Sequence, residues 1–337
     1  MSDIYILTEL GKLGRSDDAL VFYTPEGERT ILPTFKINQL VLIGKISISG
    51  DAIRLLSRHK IPVAFISHNG FFNTRFTYST EKNVLLRQKQ YRLLDDEKGT
   101  LKIAKAIVCG KIKNQISYMQ RIKRKRKCED AKIHKSITRV KNLLEDAERA
   151  DNIDSLRGFE GMTSKHYFDV IKYNIQPEWA EFPCRSKNPP KSNVNSVLSF
   201  LYTVLTTHII CAIEASALDP MVGTLHSVIY GANALAFDLT EEFRTPIADT
   251  ICCSLFNLGI LKPDNFEEKT LQDSTGIFLN KDGIQKVLKA FQDKLNSNIS
   301  IATKKDFKYR DIFFEQVEKY KKMLNGDIAE YTPYYFK

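Results

Sequence analysis

The first 77 residues contain short apolar runs separated by turn signals, a pattern typical of β-strands. The turns fall at Thr24–Gly27, at Gly44 and at His68–Gly70. A segment with apolar residues at helical spacing, Asp51–His59, predicts one short helix among the strands. The predicted strands are Asp3–Leu10, Ala19–Tyr23, Arg29–Leu32, Leu40–Ile43 and Pro62–Ile66.

The pattern then becomes helical, and no proline occurs between Pro62 and Pro177. A stretch from Pro177 to Pro190 is expected to be an exposed loop between the helices. We therefore predict an α+β protein. It has a small amino-terminal β-rich, sandwich-like domain (1–77) and a large all-α domain (78–337). The predicted helices are Glu81–Asp95, Leu101–Lys127, Asp130–Arg149, Ser155–Tyr173, Asn195–Ala217, Asp238–Leu261, Lys281–Leu295 and Lys304–Leu324.

The longest uncharged run, Ser192–Ile213, contains His208, Tyr202 and several hydroxyl side chains, which favours a buried central helix over a membrane span. The chain opens with Met-Ser-Asp-Ile-Tyr and shows no export signal. Its six cysteines include no CxxC pair, so we expect reduced thiols in a cytoplasmic protein. A membrane protein, a secreted mini-protein and a zinc finger are disfavoured.

The positive charge is concentrated in one segment. The formal net charge is +10, and Thr100–Lys127 contains ten bases and no acid. Such density suits a polyphosphate partner such as nucleic acid, although a solvated helix face would look the same. An anionic membrane fits less well, because the segment lacks an apolar, aromatic face. The candidate DNA contacts are Lys111, Lys113, Arg121, Lys123, Arg124, Lys125, Arg126 and Lys127.

Three positions are candidates for chemistry. Glu160 lies between two nearby glycines, and His226 lies in an uncharged stretch from Pro220 to Phe237. Asp238 and Glu241, three residues apart, share a face if their segment is helical. Two carboxylates and one imidazole favour manganese or magnesium over structural zinc. With the basic segment, this set predicts metal-dependent phosphoryl chemistry on nucleic acid.

Each candidate also has a structural interpretation. Asp238-Leu-Thr-Glu241 fits an N-terminal capping box. His226 fits a buried core histidine, and Glu160 fits an ordinary acid on a helix face. From spacing alone, these interpretations remain open.

The motifs resemble those of the CRISPR adaptation integrases, the Cas1 family. Leu-Arg-Gly-Phe-Glu-Gly at 156–161 resembles the first metal motif of that family. Asp219–His226 resembles the second motif, and Ala234–Arg244 resembles the third. The flanking segments Gly50–Leu56, Gly110–Gln115, Pro189–Pro190 and Val194–Phe200 are similar as well.

The resemblance implies a β domain joined by a flexible linker to a helical catalytic domain. It implies that Glu160, His226 and Glu241 are catalytic and hold magnesium or manganese, with Asp238 in a supporting role. One departure is visible at Ser227–Asn233, which is uncharged where many relatives carry charge. DNA contacts there are expected to differ.

The implied reaction inserts a short foreign DNA fragment at a CRISPR repeat, where the 3′-hydroxyl of the fragment attacks a phosphodiester. The implied partners are double-stranded DNA, a second copy in a homodimer, and the small ferredoxin-like Cas2 protein. Two alternatives remain. With water as the nucleophile, the same site would be a structure-selective DNase. With Asp238–Glu241 as a cap only, the chain would be a non-catalytic DNA-binding subunit.

Overall fold

The computed structural model of the protein describes residues 2–76, 83–126, 131–271, 274–299 and 307–336. Its amino-terminal part is a sheet of six strands in the order β3-β2-β1-β4-β5-β6. Strand β4 runs parallel to both β1 and β5, and the other neighbours are antiparallel. The strands are β1 (Ser2–Ser16), β2 (Ala19–Tyr23), β3 (Arg29–Pro33), β4 (Ile37–Ile48), β5 (Val63–Ile66) and β6 (Phe72–Phe76).

The long strands β1 and β4 change register where they pair, between Leu7 and Leu10. Gly44 lies opposite this irregularity with a φ of 116°, which glycine adopts readily. A Cβ added at Gly44 would lie 1.8 Å from the carbonyl oxygen of Thr8, so no other residue fits. The irregularity is a β-bulge, which bends a strand and increases its local twist.

The sheet packs against helix α1 (Gly50–Arg58), whose Leu55 and Leu56 are fully buried with Leu13 and Leu20 of the strands. Five strands and this helix lie where the sequence predicts them, and β6 was missed. The strands form one continuous hydrogen-bonded sheet, whereas a sandwich-like arrangement was expected. The parallel pairing of β1 with β4 connects strands β3, β2 and β1 on one side to strands β4, β5 and β6 on the other.

The remainder is mostly helical, which confirms the predicted fold class. The predicted boundary between residues 77 and 78 falls outside the described residues. The helices are α2 (Val84–Arg92), α3 (Glu97–Arg126), α4 (Ala131–Arg149), α5 (Ile153–Asn174), α6 (Asn193–Ala215), α7 (Ala234–Phe243), α8 (Thr250–Asn257), α9 (Lys281–Asn296) and α10 (Tyr309–Asn325).

Helix α6 is the centre of the helical part. In the described ranges it is the one helix long and apolar enough to cross a membrane, and 83% of its apolar window is buried inside the protein. Val197, Leu201 and Leu205 are completely buried among side chains of the surrounding helices. Its apolar character is thus accounted for by core packing, as the sequence predicted.

The second part is not purely helical, because residues 266–279 form an antiparallel hairpin of β7 (Phe266–Leu271) and β8 (Ser274–Leu279). The pattern there gave no strand prediction. Gly276 packs so closely on the Pro189–Pro190 segment that an added Cβ would lie 2.5 Å from the Pro189 ring. Tertiary contact with that loop therefore supports the hairpin.

Candidate active site

Glu160 and Glu241 come from different helices, and both contact the ammonium of Lys111. Glu160 is on α5 and Glu241 is on α7, with side-chain exposures of 26% and 2%. The ammonium of Lys111, from α3, contacts the Glu160 carboxylate and lies 2.8 Å from Oε2 of Glu241. Burial would lower the pKa of Lys111, but these two carboxylates outweigh it and raise the pKa. Lys111 therefore stays charged between them.

His226 follows a turn before α7, and Asp238 of α7 fixes its ring. Oδ1 of Asp238 lies 2.8 Å from Nδ1 of His226 and accepts a hydrogen bond from its backbone N–H at 2.9 Å. Because a carboxylate only accepts, Nδ1 carries a proton, and in the neutral ring Nε2 has a free lone pair. That Nε2 lies 4.0 Å from Oε1 of Glu241.

Asp238 also binds the turn that precedes His226. Its Oδ2 accepts the backbone N–H groups of Thr224 at 2.5 Å and of Leu225 at 2.9 Å, and the carboxylate is fully buried. Gly223 is required beside it, because an added Cβ would lie 2.6 Å from the carbonyl carbon of Ala234. A buried carboxylate with this many donors is a fixed structural centre for the site.

The capping-box interpretation of Asp238 and Glu241 is wrong. Helix α7 begins at Ala234 with Asn233 at its N-cap, so both acids lie inside the helix. Neither side chain is placed to cap that helix, and Asp238 accepts N–H groups from another segment of the chain. The spacing of Asp238 and Glu241 is therefore no evidence that the two acids serve only to cap a helix.

Glu241 is surrounded by positive groups. Nη1 of Arg244 lies 2.8 Å from its Oε1, one helical turn further along the chain. Burial alone would raise the pKa of this carboxyl. Arg244 and Lys111, together with His226, outweigh burial and lower the pKa to about 2. Glu241 is therefore an anion at every physiological pH.

A π-helical segment, Arg244–Asp249, directly follows α7. It contains Pro246, which has no N–H to donate and so interrupts regular α-helical bonding. The segment was predicted as part of one continuous helix. Its Asp249 accepts hydrogen bonds from the hydroxyls of Tyr167 at 2.6 Å and of Tyr202 at 2.7 Å.

A basic cleft of about 570 Å³ opens beside the carboxylates. Arg185, Lys187 and Arg244 line it together with Lys111. The guanidinium carbons of Arg185 and Arg244 lie 5.3 and 4.8 Å from the centre of the Tyr202 ring, within cation–π range. Burial and the neighbouring arginines lower the pKa of Lys187. Positive charge is thus crowded at the site, as anion binding requires.

The basic segment of α3 divides into two parts. The prediction that Lys111 contacts the DNA backbone along with the rest of the basic segment is wrong. Its side chain is buried and pairs with Glu160 and Glu241. Lys113 pairs with Glu148 at 3.2 Å and Lys123 contacts His134. Three of the remaining candidates are exposed: Arg121, Arg124 and Lys125. The side chains of Arg126 and Lys127 lie outside the described part of the chain.

Glu242, next to Glu241, faces away from the site. It accepts hydrogen bonds from the Tyr331 hydroxyl at 2.5 Å, from Gln316 at 2.9 Å and from the Tyr334 backbone N–H. Asn114 of α3 donates to the backbone carbonyls of Glu242 and Tyr334, each at 2.9 Å. Burial raises the pKa of Glu242 to about 7. This network holds the back of α7 against the segment 331–336.

Comparison with known proteins identifies the family. The model of the family described as CRISPR associated protein Cas1 matches residues 4–293. The chain belongs to the Cas1 family. A CRISPR-associated endonuclease Cas1 from Leptospira interrogans is 34% identical over 266 residues, which cover 75% of this chain and 100% of the relative. The predicted family is confirmed, and with it the class of CRISPR-associated endonucleases.

Solved structures share the fold of this Cas1 protein. A casposase bound to integration product matches 100% of this chain and 95% of its own, with a TM-score of 0.86 and 21% identity. A chain of a Cas6-RT-Cas1–Cas2 complex matches 99% of this chain and 36% of its own, with a TM-score of 0.85 and 21% identity. At this identity the likeness concerns the fold.

Sequence reasoning found four side chains of the site and missed others. Asp238 contacts His226, whose Nε2 lies 4.0 Å from Glu241, and Glu241 shares the Lys111 ammonium with Glu160. Within the described ranges no three acid, histidine or cysteine side chains form a metal-binding group. The missed residues are Arg185, Lys187, Tyr202, Arg244 and Asp249. Arg185 and Lys187 lie in the proline-containing loop, where nothing in the local pattern indicated that it folds back onto the carboxylates.

Proposed function

We propose that this Cas1 protein joins short DNA fragments to a CRISPR repeat by direct transesterification. The 3′-hydroxyl of the fragment attacks a phosphodiester, a new P–O bond forms, and the 3′-oxygen of the repeat strand leaves. The observation that carries the proposal is that Glu160 and Glu241 share the Lys111 ammonium, with Nε2 of His226 4.0 Å from Glu241, beside a cleft lined by Arg185, Lys187 and Arg244.

The residues of the chain have separate tasks in this reaction. The cations Arg185, Lys187 and Arg244 draw the DNA phosphate towards the carboxylates and offset the charge of the pentavalent transition state. Asp238 holds His226 with Nε2 free, so the ring acts in one orientation. The Tyr202–Asp249–Tyr167 network keeps the arginines in place beside the site.

We propose that Glu160, His226 and Glu241 hold a magnesium or manganese ion. Two carboxylates and an imidazole with a free Nε2 form the oxygen-rich donor set that these cations prefer. The Lys111 ammonium between the two carboxylates shows that this position favours positive charge. When bound, the ion would polarise the phosphodiester and activate the attacking hydroxyl.

The proposed partners follow from the surface and from the relatives. Exposed Arg121, Arg124 and Lys125 on α3 are suited to the backbone of double-stranded DNA. The Cas1–Cas2 and casposase structures support a Cas2 partner and DNA as substrate. A homodimer, with the β domain (1–77) as its interface, and a cytoplasmic location complete the proposal.

The test is strand joining with purified protein and the cognate Cas2 protein. A labelled duplex with free 3′-hydroxyls is incubated with manganese and a supercoiled plasmid carrying a repeat. We expect covalent joining by the wild type and none by His226→Ala. The matched control is His166→Ala, since His166 lies on α5 along a separate cleft. It should join at the wild-type rate.

Three outcomes would contradict the proposal or the place of His226 in it. Nicking of the plasmid without joining would establish the DNase alternative, in which water replaces the hydroxyl. Salt-sensitive DNA binding with no chemistry in the wild type would establish a DNA-binding subunit. Equal joining by the wild type and by His226→Ala would remove His226 from the site.

A further inference from the structure

Directly after His226 the chain exposes an apolar tip. Val228, Ile229 and Tyr230 have 55%, 63% and 104% of their surface exposed to solvent. We call these three residues the apolar tip. Tyr230 extends fully into solvent, although an aromatic side chain of this size is normally at least partly covered. Contiguous exposed apolar side chains commonly mark a binding surface.

The base of the apolar tip is held firmly. On one side, Arg157 of α5 donates to the Leu225 carbonyl at 2.6 and 2.8 Å and to the Ser227 hydroxyl at 2.9 Å. On the other side, the Ala232 N–H donates to the Ile229 carbonyl at 3.0 Å, and Gly231 turns the chain with a φ of 78°. The exposure of the tip is therefore built into the turn and does not come from a loose loop.

The position of the apolar tip limits what can bind to it. Tyr230 is four residues from His226, so their Cα atoms are at most about 14 Å apart. A DNA strand whose phosphate lies at His226 would therefore pass the tip within a few nucleotides. No charged residue occurs from Ser227 to Phe237, so nothing in the turn attracts a phosphate. What an uncharged aromatic tip offers to DNA is a stacking surface.

We propose that the apolar tip binds an unpaired base of the DNA strand at the active site, with the Tyr230 ring stacked on the base and Val228 and Ile229 beside it. This inference rests on the proposed function, because it takes DNA as the substrate. The ligand class is an unstacked nucleobase next to a 3′ end, of any sequence, since every base has a π-face.

The test uses a DNA duplex with a short unpaired 3′ tail that carries 2-aminopurine, a fluorescent adenine analogue quenched by stacking. We expect the wild type to quench the fluorescence and Tyr230→Ala to remove the quenching. Tyr230→Ala should weaken binding of the tailed duplex by about five- to 150-fold, the usual loss for one stacked base. Tyr230→Phe should bind like the wild type, because it keeps the ring.

Four controls separate stacking from other effects. Binding of a blunt duplex should be equal in the wild type and in Tyr230→Ala. The slope of affinity against salt should also be equal, since no phosphate contact is removed. Leu258→Ala removes another exposed apolar side chain, 73% exposed, and should change nothing. Tyr230 is fully exposed, so its variants should keep the thermal midpoint of the wild type.

The inference is overturned if Tyr230→Ala binds and quenches like the wild type. It is also overturned if that variant loses self-association or Cas2 binding while its DNA binding is intact, because the tip would then face a protein. Stacking by a wild type that never joins strands would support the tip and contradict the proposed function. A wild type that binds no tailed DNA would overturn both.

Discussion

Asp238 holds His226 at two points, because one carboxylate oxygen accepts both the backbone N–H at 2.9 Å and the ring Nδ1–H at 2.8 Å. The other oxygen binds the N–H groups of Thr224 and Leu225. The position of the imidazole is thus set by the same side chain that folds the preceding turn. Orientation of the His226 ring and folding of the preceding turn therefore depend on the same side chain.

We expect Asp238→Asn to reduce strand joining and manganese affinity by about 10- to 100-fold, as is typical when the partner of a ligating histidine is lost. An amide offers one acceptor oxygen where Asp238 offers two, so either His226 or the turn loses its partner. Calorimetric manganese titration and the joining assay measure both effects.

Asp51→Asn is the control, since Asp51 is an exposed acid on α1 that pairs with neighbouring Arg54 at the surface. It should join strands and bind manganese like the wild type. Wild-type manganese affinity in Asp238→Asn would show that His226 needs no orienting partner.

We expect Lys111→Met to bind manganese about tenfold more tightly than the wild type, or better, in the absence of DNA. The Lys111 ammonium lies between Glu160 and Glu241 and repels an incoming cation. At an effective dielectric of about 20, the repulsion between two unit charges about 4 Å apart is about 4 kcal/mol. Removing even part of this repulsion would change the manganese affinity measurably. Isothermal titration with manganese chloride measures the change.

Lys113→Met is the matched control, two residues along the same helix. Lys113 is 42% exposed and pairs with Glu148, away from the carboxylates. Its manganese affinity should equal that of the wild type. If Lys111→Met bound manganese more weakly, Lys111 would be a stabilising member of the metal site rather than a competitor.

We expect neutralisation of the exposed bases of α3 to flatten the salt dependence of DNA binding. Changing each of Arg121, Arg124 and Lys125 to Gln removes three positive charges. Each charge that contacts a DNA phosphate releases counterions on binding and so adds to the salt dependence of the affinity. The slope of log affinity against log salt should fall in magnitude by about 2.7, equally for any DNA sequence. Fluorescence anisotropy at several salt concentrations gives the slope.

Neutralising Lys262, Lys281 and Lys289 removes the same charge from another exposed surface and should leave most of the slope in place. An unchanged slope in the α3 variant would mean that its basic segment is a solvated helix face.

We expect His208 to make stability depend on pH. Burial lowers the pKa of His208 below the ordinary 6.5, while its ring bonds the Tyr5 hydroxyl across the two parts of the chain. Below pH 6.5 the unfolded chain takes up a proton here and the folded chain does not. The contribution of His208 to the free energy of unfolding is therefore fully present above pH 6.5. It falls as the pH is lowered, by up to about 1.4 kcal/mol per pH unit, until the lowered pKa is reached.

Urea unfolding at pH 7.5 and pH 5.5 tests this. His208→Gln should be less stable at pH 7.5, because the ring packs against Phe291 and Phe313, but it should lose less stability on acidification. Equal losses in the wild type and the variant would place the acid sensitivity elsewhere.

The sequence predicted those features that local pattern encodes. Strand and helix periods located the long helices and the first five strands but not β6, β7 or β8, and the third motif contained Asp238 and Glu241. Periodicity could not show that Lys111 turns inwards, because in a run of bases it resembles its exposed neighbours. The pairing of Arg185 and Arg244 with Tyr202 depends on distant contacts, which no local pattern contains.

The capping-box interpretation failed for a related reason. An acid followed three residues later by Glu describes both a helix start and two carboxylates on one face inside a helix. Only the start of α7 at Ala234 decides between them. The continuous helix predicted over Asp238–Leu261 is also wrong at Arg244–Asp249, where the chain is π-helical and contains Pro246.

The neighbours Glu241 and Glu242 face different sides of α7, one towards Lys111 and Arg244 and the other towards Tyr331 and Gln316. Each residue of an α-helix turns by about 100° relative to the one before it. Inserting or deleting a single residue in α7 before this pair would therefore rotate both carboxylates away from their partners at once. The number of residues between the start of α7 and this pair is therefore constrained more tightly than the identity of those residues.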